Sequence, residues 1–540
     1  MHFEAVFLVL FSIASAVAIA AKRLKIPYTV ALVATGLVLG LVHVVEAPHL
    51  TRQLLYTFIL PGLLFEASFH LDLGDFWKNR LAIPMLAVPG VLATILLTAA
   101  ILASLAHGLD FMRGFTFAHG LIFGAVIAAT DPIAVVGLFR ALGAPKRLRV
   151  LVEGESLLND GTALVLFGLV LELVSGAHPT AGSLALAFFK EVGAGALTGV
   201  AVGTAVSRVI RSVDDPMIEI TLTTIAAYGS FVAAEAIGGS GVIATVTAGM
   251  LCGNYAVRSG MNPSTRIAAE TFWEYAAFAL NSIVFLLVGF ELRAADLAAS
   301  WAPILVAYVA MTAGRSVVIL SVAALLRRTR ERIPWPWTAV LTWAGLRGAL
   351  SMVLALSLAA DVPQRSLLVT MTFGVVLLTI LIQGSTMSPL MKRAGLVDRT
   401  KRRNEVEIAR GRAVAARAAL SELERMQQDF VVSPDVVEEF RARYATKADE
   451  AERALVKIRG KEGAAPGTLR RDVRRHILVA EKAALIAAAD RGLLGPEPFE
   501  EVVGDVDARL LALDEEVGEE SSREGAEESP DAGPRPPKPG

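Results

Sequence analysis

From residue 3 to residue 390 the chain repeats one pattern, a long apolar run followed by a short polar interruption. The runs fall at 3–21, 27–45, 52–69, 81–106, 114–139, 151–174, 183–209, 217–237, 240–257, 272–290, 301–326, 336–359 and 366–390. A helix needs about 20 such residues to cross the hydrocarbon core of a bilayer, so the pattern predicts about thirteen transmembrane helices. Through 402–458 charge and alanine alternate instead, as on solvated helices. The predicted fold class is an all-α membrane protein with a helical tail. The first run, Phe3 to Ala21, has no basic leader and passes straight into further apolar stretches, which reads as a first span and not as a cleaved signal.

The polar interruptions carry basic charge on one side only. Lys22, Arg23 and Lys25; Lys78 and Arg80; Arg140, Lys146, Arg147 and Arg149; Arg208 and Arg211; Arg258 and Arg266; and Arg327, Arg328, Arg330 and Arg332 fall in alternate loops. The opposite loops hold Arg52, Arg113, Arg293 and Arg365. Positive charge stays in the cytoplasm, so the N-terminus is expected outside and the tail inside, which also requires an odd number of spans.

Composition divides the chain in the same place. Of 540 residues, 54% are hydrophobic and only 19% charged, with the charge concentrated late. We therefore expect a membrane domain over 1–390 and a cytoplasmic helical tail over 391–514, with Gly460 to Gly467 as a linker. The acidic, then proline-rich terminus over 515–540 has too few apolar residues to fold. A net charge of −1 offers no field for nucleic acid, and the single cysteine, Cys252, has no internal disulfide partner and reads as packing.

Two acidic motifs interrupt the apolar pattern: Ala129-Thr130-Asp131-Pro132 in the fifth run and Gly154-Glu155-Ser156-Leu157-Leu158-Asn159-Asp160-Gly161 in the sixth. A carboxylate at that depth is costly and by default marks a pathway for ions. Pro132 removes a backbone donor and disfavours helix at the residue before it, so the fifth span should break near its middle. Asp131 would then cap the second half-helix, with Pro132 at its first position. The same break frees Thr130 and nearby carbonyls for a cation, and the two roles are compatible. In the sixth span Ser156 and Asp160 are four residues apart, as are Glu155 and Asn159, which gathers them into one polar stripe. A hard cation such as Na⁺ takes oxygen ligands, which Asp160, Ser156 and Thr130 supply. Asp160 can hold either a proton or that cation, and such competition is the core of an exchanger.

A second interruption, Trp343-Ala344-Gly345-Leu346-Arg347-Gly348-Ala349, lies in the twelfth span. It falls seven spans after the first, so spans 1–6 and 8–13 would correspond, with the seventh as connector. Paired broken helices in corresponding places point to inverted repeats, although the glycines would equally permit close helix packing.

Several of these motifs, in this order, resemble the monovalent cation/proton antiporters of the sodium/proton exchanger branch. The resemblance covers most of residues 1–390. It rests on Leu60-Pro61-Gly62-Leu63-Leu64-Phe65-Glu66-Ala67, the Thr-Asp-Pro motif, the Gly-Glu-Ser and Asn-Asp motif, Gly345-Leu346-Arg347-Gly348-Ala349 and Gln383-Gly384-Ser385-Thr386. Gly62 departs from a proline common at that place. The resemblance implies a core domain with crossed broken helices at Pro132 and at Gly345, Arg347 and Gly348, a homodimer, and elevator-type alternating access. It implies that Asp160 binds the ion and the proton, that Asn159 occupies the place of a second aspartate in electrogenic relatives, and that Thr130, Asp131 and Ser156 complete the binding neighbourhood. Glu155 would form a structural ion pair with Arg315.

The expected function is secondary active exchange of Na⁺ or Li⁺ for H⁺ across the cell membrane, electroneutral and without a cofactor. K⁺/H⁺ exchange by the same machinery is the nearest alternative and a passive cation channel a more distant one. An intramembrane aspartyl protease is disfavoured, because Tyr-Asp and Gly-x-Gly-Asp motifs are absent around Asp131 and Asp160. After the last span, Lys392, Arg393, Lys401, Arg402 and Arg403 form a basic cluster suited to anionic headgroups or serving simply as an orientation signal. The tail either regulates transport or joins dimers.

Overall fold

The computed structural model describes residues 3–24, 28–42, 54–106, 108, 112, 114–175, 179–257, 260–291, 293–428, 434–459, 477–478, 481–482, 485 and 498–509. All regular structure among them is helical, and the chain forms two compact units, Met1–Lys401 and Arg402–Gly540.

In the first unit the helices are α1 (Phe3–Leu24), α2 (Tyr28–Val42), α3 (Leu60–Phe69, entered through a π-helical turn at Leu54–Ile59), α4 (Leu73–Trp77), α5 (Ala82–Ala87), α6 (Pro89–Ala106), α7 (Phe117–Val126), α8 (Ile133–Leu142), α9 (Lys146–Val174), α10 (Ala181–Ile210), α11 (Pro216–Ala236) and α12 (Gly241–Leu251). Then follow α13 (Pro263–Glu291), α14 (Ala294–Ala299), α15 (Trp301–Leu326), α16 (Trp335–Trp343), α17 (Ala349–Leu356), α18 (Arg365–Leu378) and α19 (Ser385–Arg393). Seven helical stretches among the described residues are long and apolar enough to cross a membrane: Ala82–Ala106, Lys146–Val174, Ala181–Ile210, Pro216–Ala236, Pro263–Glu291, Trp301–Leu326 and Arg365–Arg393. Shorter apolar helices cover Tyr28–Val42, Leu55–Phe69 and Phe117–Val126.

Packing sorts these helices into two groups. In one, α2 lies against α13, α3 against α12, and α10 and α11 against α12. Without a hydrophobic drive between helices in lipid, close approach needs small residues. Gly195, Gly199 and Gly203 form such a stripe on α10, where an added Cβ would meet the backbone of Ser240, Ala244 and Ala248. The opposite face of α10 is apolar and open, with Leu186 71%, Phe189 69% and Leu197 73% exposed. That exposure suits lipid or a second protein surface and not water. In the other group α5 and α7 pack on α9, α6 on α7 and α15, and α15 on α16 and α18.

Outside the spans, α4 is capped by Asp72, whose side chain accepts from the Asp75 N–H (2.9 Å). Hydrogen bonding from Lys146, and then from Lys78, holds the Asp75 carboxyl below the ordinary carboxylate range and ties this loop to the first turn of α9.

In the second unit, α20 (Asp398–Gln428), whose first residues still belong to the first unit, leads to α21 (Pro434–Arg459). The two are cross-linked by Arg417 to Glu452 (2.6 Å) and by Arg441 Nη2 donating to Gln427 Oε1 (2.8 Å). The linker expected at Gly460–Gly467 and the terminus over 515–540 lie outside the described residues, as do the side chains of Lys401, Arg402 and Arg403. Lys392 and Arg393 are exposed in the last turn of α19.

Candidate functional site

Two interrupted helices meet at the centre of the second group. Between α7 and α8 the backbone leaves the helix over 127–132, and between α16 and α17 over 344–348. The second half-helix of the first pair starts at Ile133, with Pro132 just before it, so it begins one residue later than the sequence suggested. Broken backbone at this depth needs partners, and each break supplies them to the other. The Asp131 N–H donates to the Leu346 carbonyl (2.8 Å), and Ser351 Oγ donates to the Ala129 carbonyl (3.4 Å).

Arg347 completes the crossing. Fully buried, it donates from Nη1 to the carbonyls of Ala128 (2.6 Å) and Ala129 (3.2 Å), which follow the C-terminus of α7. A cation at a helix C-terminus offsets the negative end of the dipole, and here it also satisfies carbonyls released by the break. Its own backbone N–H donates to Thr379 Oγ1 (3.2 Å), at the start of a π-helical turn over Thr379–Gly384.

The two glycines of this break have a specific cause. A Cβ at Gly348 would strike the Asp131 side chain, coming within 2.7 Å of Oδ2, and one at Gly345 would strike the Arg315 guanidinium. Gly348→Ala is therefore expected to cost about 1–3 kcal/mol, the usual range for overpacking, measured as lost thermal stability in detergent. Gly168→Ala on α9, where an added Cβ meets nothing within 4 Å, should stay within about 0.5 kcal/mol. Equal losses at the two positions would contradict the steric account.

The sixth-run motif sits on α9 beside the crossing. Thr130 joins the two elements: its N–H donates to Asp160 Oδ1 (3.2 Å), and its hydroxyl lies 3.0 Å from Ser156 Oγ. Asn159 Nδ2 donates to Thr130 Oγ1 (3.0 Å) and to the Ala128 carbonyl (3.0 Å). Thr130, Ser156, Asn159 and Asp160 are thus one bonded cluster, with Thr130, Ser156 and Asn159 buried and Asp160 half-buried. Behind it Glu155 and Arg315 form a two-pronged pair, Nη1 to Oε1 at 3.0 Å and Nη2 to Oε2 at 3.1 Å, and Arg315 also donates to the Leu341 carbonyl (3.2 Å).

A cavity of about 70 Å³ opens onto Asp160, Thr130, Asp131 and Gly348. That is room for a cation and a few waters. Its far wall comes from the first helix group: Leu60, Leu63, Leu64 and Ala67 of α3, and Asn281 of α13. The sequence reading named every residue of the polar cluster but missed Asn281, whose signal was an amide within the apolar stretch 276–290. It also gave no role to the Arg347 side chain, because its acceptors are carbonyls 218 and 219 residues away in sequence.

Crossed broken helices around a carboxylate-lined polar centre in an apolar bundle define an ion-coupled secondary transporter. The chain belongs to the family of transmembrane sodium/hydrogen exchangers, whose model matches residues 8–393. Among its relatives are the Na⁺/H⁺ antiporter ApNhaP of Aphanothece halophytica, 38% identical over 399 residues, covering 73% of this chain and 74% of that protein. The Na⁺/H⁺ antiporter NhaP of Pseudomonas aeruginosa is 34% identical, covering 69% and 92%. The fold is similar to that of the sodium proton antiporter MjNhaP1 from Methanocaldococcus jannaschii, with a TM-score of 0.61 at 18% identity, over 74% of this chain and all of the other.

Proposed function

We propose that this chain exchanges cytoplasmic Na⁺, or Li⁺ in its place, for external protons across the cell membrane, one for one. The observation that carries this reading is the charge arrangement around the cavity. Glu155 is held by Arg315, and Arg347 lies on the carbonyls of the first break. Asp131 sits where the N-termini of α8 and α17 converge, whose dipoles offset its charge. Asp160 forms no ion pair with a described cationic side chain and faces the cavity, so its charge is the one left for a mobile ion. Thr130 and Ser156 add neutral oxygens for a dehydrated cation. The transporter needs no cofactor, its cargo being Na⁺ and H⁺.

Transport would proceed by elevator motion. The ligands Thr130, Asp131, Ser156 and Asp160 all belong to the α5–α9 and α15–α19 group, and the cavity's other wall belongs to the opposite group. Moving this second group, which carries the site, as a body past the first would carry the site from one face to the other. We take the membrane domain as thirteen spans in two inverted repeats, N-terminus outside and tail cytoplasmic, forming a homodimer supported by the open apolar face of α10.

If Asp160 alone carries the exchangeable charge, the site is neutral with either H⁺ or Na⁺ bound, and neither half-cycle moves net charge. Exchange in proteoliposomes is then expected to be indifferent to a membrane potential set by K⁺ and valinomycin. A rate or end-point gradient that shifts with voltage would sink this reading and point to Asp131 as a second proton carrier. Sodium and rubidium uptake measured side by side separate Na⁺/H⁺ from K⁺/H⁺ exchange.

A further inference from the structure

We propose that Asn281 is a cation-selectivity residue, its side-chain amide supplying a neutral oxygen ligand from the stationary wall when the site faces it. The inference rests on the ion-binding reading of Asp160 and extends it across the cavity.

Three observations point to this role. First, Asn281 lies on α13 and lines the cavity opposite Asp160, Thr130 and Asp131, where it is the one polar side chain contributed by the first helix group. Second, it is only 7% exposed, yet its amide makes no hydrogen bond with any described residue. The amide's polar atoms open onto the cavity, and packing against apolar neighbours alone gives no reason for asparagine over leucine here. Third, its neighbour Ser282 shows what a purely structural polar residue does on this helix: its hydroxyl bonds the Phe278 carbonyl and lies 2.7 Å from the Tyr28 hydroxyl. Ser282 is satisfied within the protein, whereas Asn281 is left to whatever enters the cavity.

The chemistry of the group fits the task. Thr130, Ser156 and Asp160 supply fewer oxygens than a dehydrated Na⁺ accepts. An amide oxygen adds a ligand without adding charge, so it leaves one-for-one exchange intact. Coming from the wall and not from the moving group, it would engage the cation only in part of the cycle. It would therefore influence which cation is admitted, while the carboxylate alone decides whether exchange occurs.

The test is exchange in proteoliposomes with Na⁺ and Li⁺ titrated separately, for the wild type, Asn281→Leu, Asn281→Ser and Asp160→Asn. Asn281→Leu is expected to raise the apparent KM for Na⁺ about tenfold, a larger effect than on the maximal rate, and to change the Na⁺ to Li⁺ ratio of KM values. Asn281→Ser, which keeps an oxygen near the same place, should fall between the two. Melting in detergent with and without Na⁺ gives a second readout that needs no transport: the stabilisation by Na⁺ should shrink in Asn281→Leu. Unchanged KM values and an unchanged Na⁺ shift in both Asn281 variants overturn the proposal, as does a fall in melting temperature with the KM ratio untouched. If Asp160→Asn still exchanges cations, it is the reading of the central site that fails, and the two failures are told apart.

Discussion

Asp160→Asn protein, inserted and assembled like the wild type, is expected to move no protons on a Na⁺ gradient. The substitution keeps the size of the side chain and an oxygen able to accept from the Thr130 N–H, so the join between α9 and the first break survives. What disappears is the charge. Asparagine neither titrates nor balances a bare cation, and Asn159 beside it is already neutral and committed to Thr130 and Ala128. The flux should fall by at least ~100-fold, equivalent to ~2.7 kcal/mol at the barrier. A pH-sensitive dye in everted vesicles measures this directly, with size-exclusion profiles to confirm intact protein. Substantial Na⁺-driven flux from a well-folded Asp160→Asn variant would remove the basis of the assignment.

The residues that carry this prediction were legible in the sequence because charge in an apolar run is a strong signal. The stripe of Glu155, Ser156, Asn159 and Asp160 needed only helical periodicity, and the run at 151–174 lies within one uninterrupted helix, Lys146–Val174. Thr130-Asp131-Pro132 announced a break because proline acts locally on the residue before it. Other features were not legible. The π-helical turns at Leu54–Ile59, Cys252–Ala256 and Thr379–Gly384 leave no mark in the hydropathy pattern. Gly345 and Gly348 read equally well as helix-packing glycines, and only their closeness to Arg315 and Asp131 gives the cause. Asn281 escaped notice for a related reason. A lone amide in an apolar run is unremarkable until its surroundings show that it lines the cavity and bonds no described residue.

Breaking the Glu155–Arg315 pair should damage the fold more than any other single change near the site. Both side chains are buried, at 4% and 8% exposure, so removing either leaves the other charged in a medium of low dielectric. The expected cost of Glu155→Ala or Arg315→Ala is on the order of 3–5 kcal/mol, dominated by the stranded charge and not by the attraction lost. Arg315→Ala should be the worse of the two, because Arg315 also donates to the Leu341 carbonyl and so ties α15 to α16 just ahead of the second break. The double substitution leaves no stranded charge, and its loss should fall short of the sum of the singles by ~2 kcal/mol. Melting temperatures of the purified proteins in one detergent measure the cycle. Additive losses would mean that the pair, though 3.0 Å apart, is not coupled in energy. The partial recovery of stability need not bring recovery of exchange, since the double variant opens a void beside Asn159 and loosens the helix that presents Asp160.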